Sequence, residues 1–397
     1  MINAVFDLSN LWHRSMYVVG GFGSKSYMYE SQKEIDELMR KVAIDISAAL
    51  RSINPSRIVF AIDSRSWRKK IEIEENDGYK SNRAKTGMIN WDNIYATMDE
   101  FTEIMASKGM IVSKIENAEA DDLMCLWRDK FLFGLNEHVV LVSGDEDIRQ
   151  LSASYVSNDG SKKFATIFNP FTQGKNPKKL FAPKEFSDWL TDQSDVGDIF
   201  SRGVDPAKDS FIGLLNSSVK FEAINGDEIA IKKVFQGDDG DCVPPIYTWV
   251  GKTSGGNEKT YRITASTQNK IIEKIWNSHL LKNNSDIMDV YDLPSLHEDI
   301  YEAIGNIAKH KPSINMEERI KRQLKLVVLS RQFFPDEIVE EFDDSVDDQL
   351  AKKPDQVNGW YVNTLLEGTR YIDENYQRNK NEASIFRDID AISQKLF

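Results

Sequence analysis

A short apolar run that ends on an aspartate, and that recurs, constrains this chain more than any other feature. Ala4-Val5-Phe6-Asp7 and Arg57-Ile58-Val59-Phe60-Ala61-Ile62-Asp63 both have that form, and the run from His138 to Ser143 leads directly into Gly144-Asp145-Glu146-Asp147. Runs this short, rich in β-branched residues and apolar at consecutive positions, suit strands covered on both faces, as in a parallel sheet. Between the first two, Ile35, Leu38, Met39, Val42, Ile46, Ala49, Leu50 and Ile53 recur at helical spacing after Ser31, a capping residue type. A second helix through Ile94, Met98, Phe101 and Met105 closes at Gly109, a strand follows over 110–115, and a third helix opens at Glu119. Strands alternating with helices predict an α/β fold with a mostly parallel central sheet flanked by helices.

In an open parallel sheet ligands bind at the carboxyl ends of the strands, so strand-ending aspartates converge on one edge. Asp7, Asp63 and Asp145 occupy that place. To them are added Glu119, Asp121 and Asp122 at a helix start, Asp147, and the pair Asp238 and Asp241 in Gln-Gly-Asp-Asp-Gly-Asp-Cys-Val-Pro. Carboxylates gathered this way raise one another's pKa unless cations compensate, which points to hard divalent ions held by oxygen: Mg²⁺, with Mn²⁺ as a substitute. Each acid also has a bland alternative, as a turn residue, a helix cap or a partner of the helix dipole. Recurrence at three strand ends favours the metal reading.

The 397 residues leave room for two or three domains, and 50 basic against 63 acidic side chains give a net charge of −13. That balance argues against a general nucleic-acid coat protein but not against an enzyme with local basic patches. One such patch runs from Arg65 to Lys85, with seven basic residues against four acids, and contains Tyr79-Lys80-Ser81-Asn82-Arg83. A cationic segment beside a metal pocket suits a polyanionic substrate, and a tyrosine there can stack on a base; a charged surface helix is the alternative. Residues 162–184 hold six lysines and no acid, a composition read as a solvated loop ahead of a phosphate-facing surface, and 336–348 hold eight acids and no base, a solvated face. Two cysteines, Cys125 and Cys242, argue for a reducing interior, and no apolar run reaches the roughly 18 residues of a membrane helix. A cytoplasmic protein with no membrane partner is expected.

Five motifs in order, strand-ending Asp7 and Asp63, Tyr79-Lys80-x-Asn82-Arg83, Glu119-Ala-Asp121-Asp122, Ser143-Gly-Asp145-x-Asp147 and Gly237-Asp238-x-x-Asp241-x-Val-Pro, resemble the 5′ nuclease or flap endonuclease family over about residues 1–345. The resemblance is to its phage branch, typified by the T-even phage ribonuclease H. It implies a PIN-like 5′ nuclease fold, one metal site from Asp7, Asp63, Glu119, Asp121 and Asp145, and a second from Asp147, Asp238 and Asp241, with Asp122 acting through a metal-bound water. It places Lys80 and Arg83 in a helical arch at the scissile phosphate. After Asp241 it implies a helix–three-turn–helix element gripping duplex phosphates around a monovalent cation, for which Lys252, Lys259, Arg262, Lys270 and Lys274 supply charge. Cys242 stands where the family commonly has Asn, and a Gly-Ile-Gly-x-Lys turn is absent.

The implied organisation is a nuclease domain over 1–236, with the arch near 65–90 and a long insertion within 152–236, a duplex-binding and closing helical region over 237–348, and a helical extension over 349–397. The implied activity is metal-dependent 5′ to 3′ exonuclease and flap endonuclease cleavage by two-metal hydrolysis, removing RNA primers and 5′ flaps during phage DNA replication. Partners are DNA and RNA–DNA hybrids, a single-stranded-DNA-binding protein or a sliding clamp, and the chain acts as a monomer. A clamp is suggested by the ending Gln394-Lys-Leu-Phe397 and by Ile385, Phe386, Ile389, Ile392 and Leu396 on one helical face, although packing of that helix on its own domain is the favoured reading. Competing readings are a haloacid-dehalogenase-type phosphatase, which needs an acid where Ser9 stands, a PIN-type ribonuclease, and a structure-specific DNA-binding factor without turnover.

Overall fold

The computed structural model describes residues 1–21, 28–73, 78–82, 89–107, 109–171, 177–192, 206–216, 219–262 and 316–351, with isolated positions at 266, 269–270 and 273. Arg83, Lys274 and the extension over 352–397 lie outside the described residues. The chain divides into two compact units: Met1–Arg65 with Thr86–Ile224 and Asp336–Phe397, and Ser66–Lys85 with Asn225–Pro335.

The first unit is built on one sheet. Strands β1 (Ile2–Asp7), β2 (Arg57–Ala61), β3 (Ile111–Ser113), β4 (His138–Val142), β5 (Ala153–Val156), β6 (Lys162–Asn169), β7 (Lys179–Ala182) and β8 (Lys220–Ala223) order as β3-β2-β1-β4-β6-β7-β8, with β5 on β6. The strands from β3 across to β6 run parallel, and β6 and β7 are antiparallel. Strand order therefore reverses between β1 and β4, the place where a parallel sheet opens a crevice at its carboxyl edge. Every residue of β1 is buried, which explains its unbroken apolar run.

Helices cover the sheet: α1 (Leu8–Gly20), α2 (Gln32–Ile53), α3 (Trp91–Ser107), α4 (Ala120–Asp129), α5 (Lys184–Thr191) and α6 (Pro206–Asn216). In α2 the eight periodic apolar residues are all buried, and Ser31 and Glu34 form a capping box that satisfies two backbone donors. Phe6, Phe60, Phe101 and Trp12 interlock edge-on or tilted at 5.5–6.2 Å between β1, β2, α3 and α1. A second aromatic cluster gathers Phe164, Phe186, Trp189 and Phe211 around His138, whose Nδ1 accepts the Phe164 N–H. Burial, then Lys163 and the N-terminus, holds the His138 imidazole down to about 3, so it stays neutral. The acidic run forms a helix (Asp336–Ala351) that buries Ile338, Phe342 and Val346 and turns its acids outward.

Residues 162–184 correct the sequence reading. They are not a solvated loop over their whole length: β6 buries Phe164 to Phe168, and β7 buries Leu180 to Ala182. Lys162, Lys163 and Lys179 sit at strand ends, while the buried stretch from Phe164 to Phe168, apolar but for Thr166, has the character of a central strand.

In the second unit, α7 (Gly226–Gln236) is capped by Asn225, and helix α8 (Met316–Val327) packs on it around Ala230, Ile231, Val234, Phe235, Ile320 and Leu324. Strands β9 (Thr248–Lys252) and β10 (Glu258–Arg262) form an antiparallel hairpin. Lys252, Lys259 and Arg262 thus lie on a β-ribbon, not on the expected helix–three-turn–helix element. Thr248, Val250, Thr260 and Tyr261 favour strand, and Ser254-Gly255-Gly256-Asn257, with Gly256 at φ +82°, supplies the turn.

Candidate metal centre

Three loops leave the carboxyl edge of the first unit's sheet, each carrying an acid. Asp7 ends β1 and caps α1: its Oδ1 accepts the Asn10 N–H at 2.9 Å and its Oδ2 accepts the Ser143 hydroxyl at 2.9 Å. Asp63 lies two residues beyond β2; its N–H donates to Ser9 Oγ at 2.8 Å and its Oδ1 accepts the Ala120 N–H at 2.7 Å. After β4, the Asp145 N–H donates to Ser143 Oγ at 3.0 Å, and Asp145 Oδ1 accepts the Asp147 N–H at 2.9 Å. Ser143 therefore couples the β1 and β4 loops. A Cβ at Gly144 between them would meet the Phe171 ring at 2.9 Å and Arg14 Nη1 at 3.0 Å, so a side chain there has to displace those two.

Glu119 is the N-cap of α4 and forms a capping box with Asp122, whose Oδ2 accepts the Glu119 N–H at 3.1 Å. Asp122 is fully buried and committed to holding that turn, whereas Asp121 projects half-buried toward the other acids. The electrostatics show which carboxylates meet. Asp121 is raised well above its ordinary value by burial, then by Asp7, Asp145, Asp63 and Glu119. Asp7 is pushed up to about 7 by burial and by Asp63 and Asp145, against the hydrogen bonds from Asn10 and Ser143. Within one unit, therefore, the other four acids of the first expected metal set act on Asp121, and Asp63 and Asp145 act on Asp7.

The other motif residues occupy the second unit. Helix α7 ends at Gly237, with φ +68° and no room for a Cβ, which would lie 2.3 Å from the Val243 carbonyl. Asp238 Oδ1 accepts the N–H groups of Gly240 and Asp241, and its Oδ2 accepts Lys233 Nζ at 2.7 Å. Burial opposes ionisation there, but Lys233 and the two backbone donors hold Asp238 below its ordinary value. Asp241 Oδ2 accepts the Tyr79 hydroxyl at 3.0 Å and lies 3.8 Å from Lys80 Nζ, while the Lys80 N–H donates to the Asp241 carbonyl at 2.9 Å. The two motifs, far apart in sequence, are pinned together.

Tyr79 therefore differs from its expected use. Its ring is 7% exposed within the core of the second unit, with Lys80 Nζ 4.8 Å from the ring centroid, so it offers no open face to a base. Asp147 belongs to the first unit, and Asp238 and Asp241 to the second. On the hairpin, Lys252, Lys259 and Arg262 are exposed, and Arg262 lies 3.6 Å from Asp239. Sequence reasoning missed Ser143 as the tie between two acidic loops, Ser9 as the anchor of Asp63, and Lys233 as the partner of Asp238. Only the last had a visible signal, a lysine one helical turn before the terminating glycine.

An all-carboxylate donor set in which Asp7 and Asp121 are raised by burial and by their acidic neighbours suits hard divalent cations bound through oxygen. Among curated proteins, none matches the sequence. Among solved structures, similar ones include the bacteriophage T5 D15 protein co-crystallised with metal ions (16% identity, TM-score 0.45, covering 93% of this chain and 99% of that one). Another is the T5 D15 flap endonuclease in a pseudo-enzyme–product complex with DNA and metal ions, at 16% identity, TM-score 0.44 and the same coverages. A third is a T5 5′-exonuclease variant at 15% identity and TM-score 0.40. The model of the 5′-3′ exonuclease N-terminal, resolvase-like domain matches residues 3–171, which span β1 to β6 and every acid of the first set. Residues 3–171 thus match the 5′-3′ exonuclease N-terminal, resolvase-like domain.

Proposed function

We propose that this nuclease is a metal-dependent, structure-specific 5′ to 3′ exonuclease and flap endonuclease. The observation that carries the reading is the meeting of Asp7, Asp63, Glu119, Asp121 and Asp145 at the switch point of a parallel sheet, where burial and the neighbouring acids raise Asp7 and Asp121. These residues would hold a divalent ion, Mg²⁺ in the cell with Mn²⁺ as a substitute. Bound there, such an ion lowers the pKa of water and screens charge on a phosphate, and a second ion in the family's two-metal arrangement would stabilise the leaving oxygen.

The chain's own groups prepare that site. Ser143 and Asn10 orient the two Asp7 oxygens, and the Ala120 N–H fixes Asp63. Lys80 and Arg83 are proposed to meet the scissile phosphate, and the exposed basic residues of the hairpin, Lys252, Lys259 and Arg262, to contact duplex phosphates. Such contacts position a substrate without reading its sequence. Primer and flap removal in the host cytoplasm during phage replication is the corresponding role, with RNA- and DNA-ended substrates to be compared directly.

The test is cleavage of a 5′-labelled flap with Mg²⁺, Mn²⁺ or EDTA, by the wild type and by Asp145→Asn. Metal-dependent products from the wild type and none from the variant are expected; equal rates in the two would remove the mechanism. Calorimetric titration with Mn²⁺ counts the ions per chain, and two supports the two-metal form.

A further inference from the structure

Helix α3 starts at the carboxyl edge of the sheet, because the chain must run back across the sheet before β3 can begin parallel to β2. Its inward positions Ile94, Met98, Phe101 and Met105 are buried, but Tyr95 is 48% exposed. The Tyr95 ring stacks on Trp91, with centroids 6.0 Å apart and planes 28° from parallel. Trp91 in turn meets His13 of α1, the helix capped by Asp7, at 5.6 Å. Asp63 stands close enough that its charge, after burial, helps raise the Tyr95 phenol above its usual value. A two-ring shelf with an open tyrosine therefore stands at the same edge as the carboxylates.

The surroundings select what such a shelf can accept. Carboxylates at this edge repel a bare phosphate, whereas a nucleobase is neutral, flat and polarisable, and stacks on an aromatic face. The motif tyrosine, Tyr79, is buried and cannot serve. We propose that Trp91 and Tyr95 form a stacking platform for one unpaired nucleobase next to the scissile phosphodiester. Tyr95 supplies the contact face and Trp91 braces its ring. The platform rests on the nuclease reading above and adds a subsite to it: it sets the register of the strand against the acids and tolerates any base, since every base has a π-face.

The experiment uses flap DNA carrying 2-aminopurine at successive positions around the cleavage point, bound to the full chain with Ca²⁺ replacing Mg²⁺ to hold cleavage back. Quenching at one position is expected for the wild type. Tyr95→Ala loses that quench, and its kcat/KM with Mg²⁺ falls about 5- to 150-fold, the range for loss of one base–aromatic stack. Tyr95→Phe keeps both, because the ring and not the hydroxyl acts. Since Tyr95 is half exposed, the alanine variant keeps the wild-type Tm. The wild-type quench and rate in Tyr95→Ala overturn the platform. A wild type that quenches but never cleaves with Mg²⁺ or Mn²⁺ sinks the nuclease reading and leaves the platform standing.

Discussion

Asp238 and Asp7 each stand where a regular element gives way to a loop, yet the protein treats their charges in opposite ways. Asp238 has Lys233 at 2.7 Å and two backbone donors on its other oxygen, and it is held below its ordinary value. Asp7 is buried beside Asp63 and Asp145, accepts hydrogen bonds from Asn10 and Ser143, and rises to about 7. Like charges kept together at a cost to the metal-free fold mark a site built for something cationic. Charges neutralised from within can hold a turn together unaided.

Breaking the first group should produce the largest effect. Asp121→Asn is expected to lower Mg²⁺-dependent flap cleavage by more than the roughly 10- to 100-fold typical of groups one layer behind a metal. It should also raise the Tm measured in EDTA, because a repelled carboxylate is gone, and shrink the Tm gain on adding Mn²⁺. An activity loss accompanied by a fall in the EDTA Tm would make Asp121 a structural residue.

Gly237→Ala tests the second group through its backbone. The residue has φ +68°, and a Cβ would lie 2.3 Å from a carbonyl oxygen, so the change should cost about 2–4 kcal/mol in denaturant unfolding. An unchanged midpoint would show that the Asp238 turn does not depend on that close approach.

The pH response sharpens the contrast. Asp7 is raised from 3.8 to about 7, so the metal-free folded state holds a proton that the unfolded chain releases. Its contribution to stability is complete below about 3.8 and is lost as pH rises through about 7. Metal-free Asp7→Asn should therefore show a smaller fall in stability between pH 5 and 8 than the wild type, and equal slopes would place the titration elsewhere. His138 works the other way: held to about 3, it contributes stability above 6.5 that is lost as pH falls toward 3. Subtracting the variant from the wild type isolates Asp7 from it. The smallest effect belongs to Lys233→Met, which should cost about 1 kcal/mol or less and let the Asp238 pKa rise, as followed by NMR titration of its carboxyl carbon.

The contrast also explains what could be read without coordinates. The acids of the first group follow strands whose apolar runs are visible, and Ser31, Glu34 and the periodic residues of α2 announce their helix. Lysine content misled at 162–184, where counting charges hid the run from Phe164 to Phe168. A motif suggested an exposed Tyr79, but whether a ring faces water depends on Ile73, Val243 and the rest of the core it enters. The hairpin carried its own strand and turn chemistry, and the expectation of helices set it aside.

By itself the sequence determined the alternation of strands and helices, the residue type at each strand end and the oxygen chemistry of the centre, because these follow from local periodicity and side-chain character. Tertiary structure decided that Ser143 ties Asp7 to the Asp145 loop, that Lys233 pairs with Asp238, and that Tyr95 and not Tyr79 keeps an open ring. Those are relations between residues distant along the chain or on opposite sides of one helix. They are set by which surfaces pack, and packing is a property of the assembled sheet and helices.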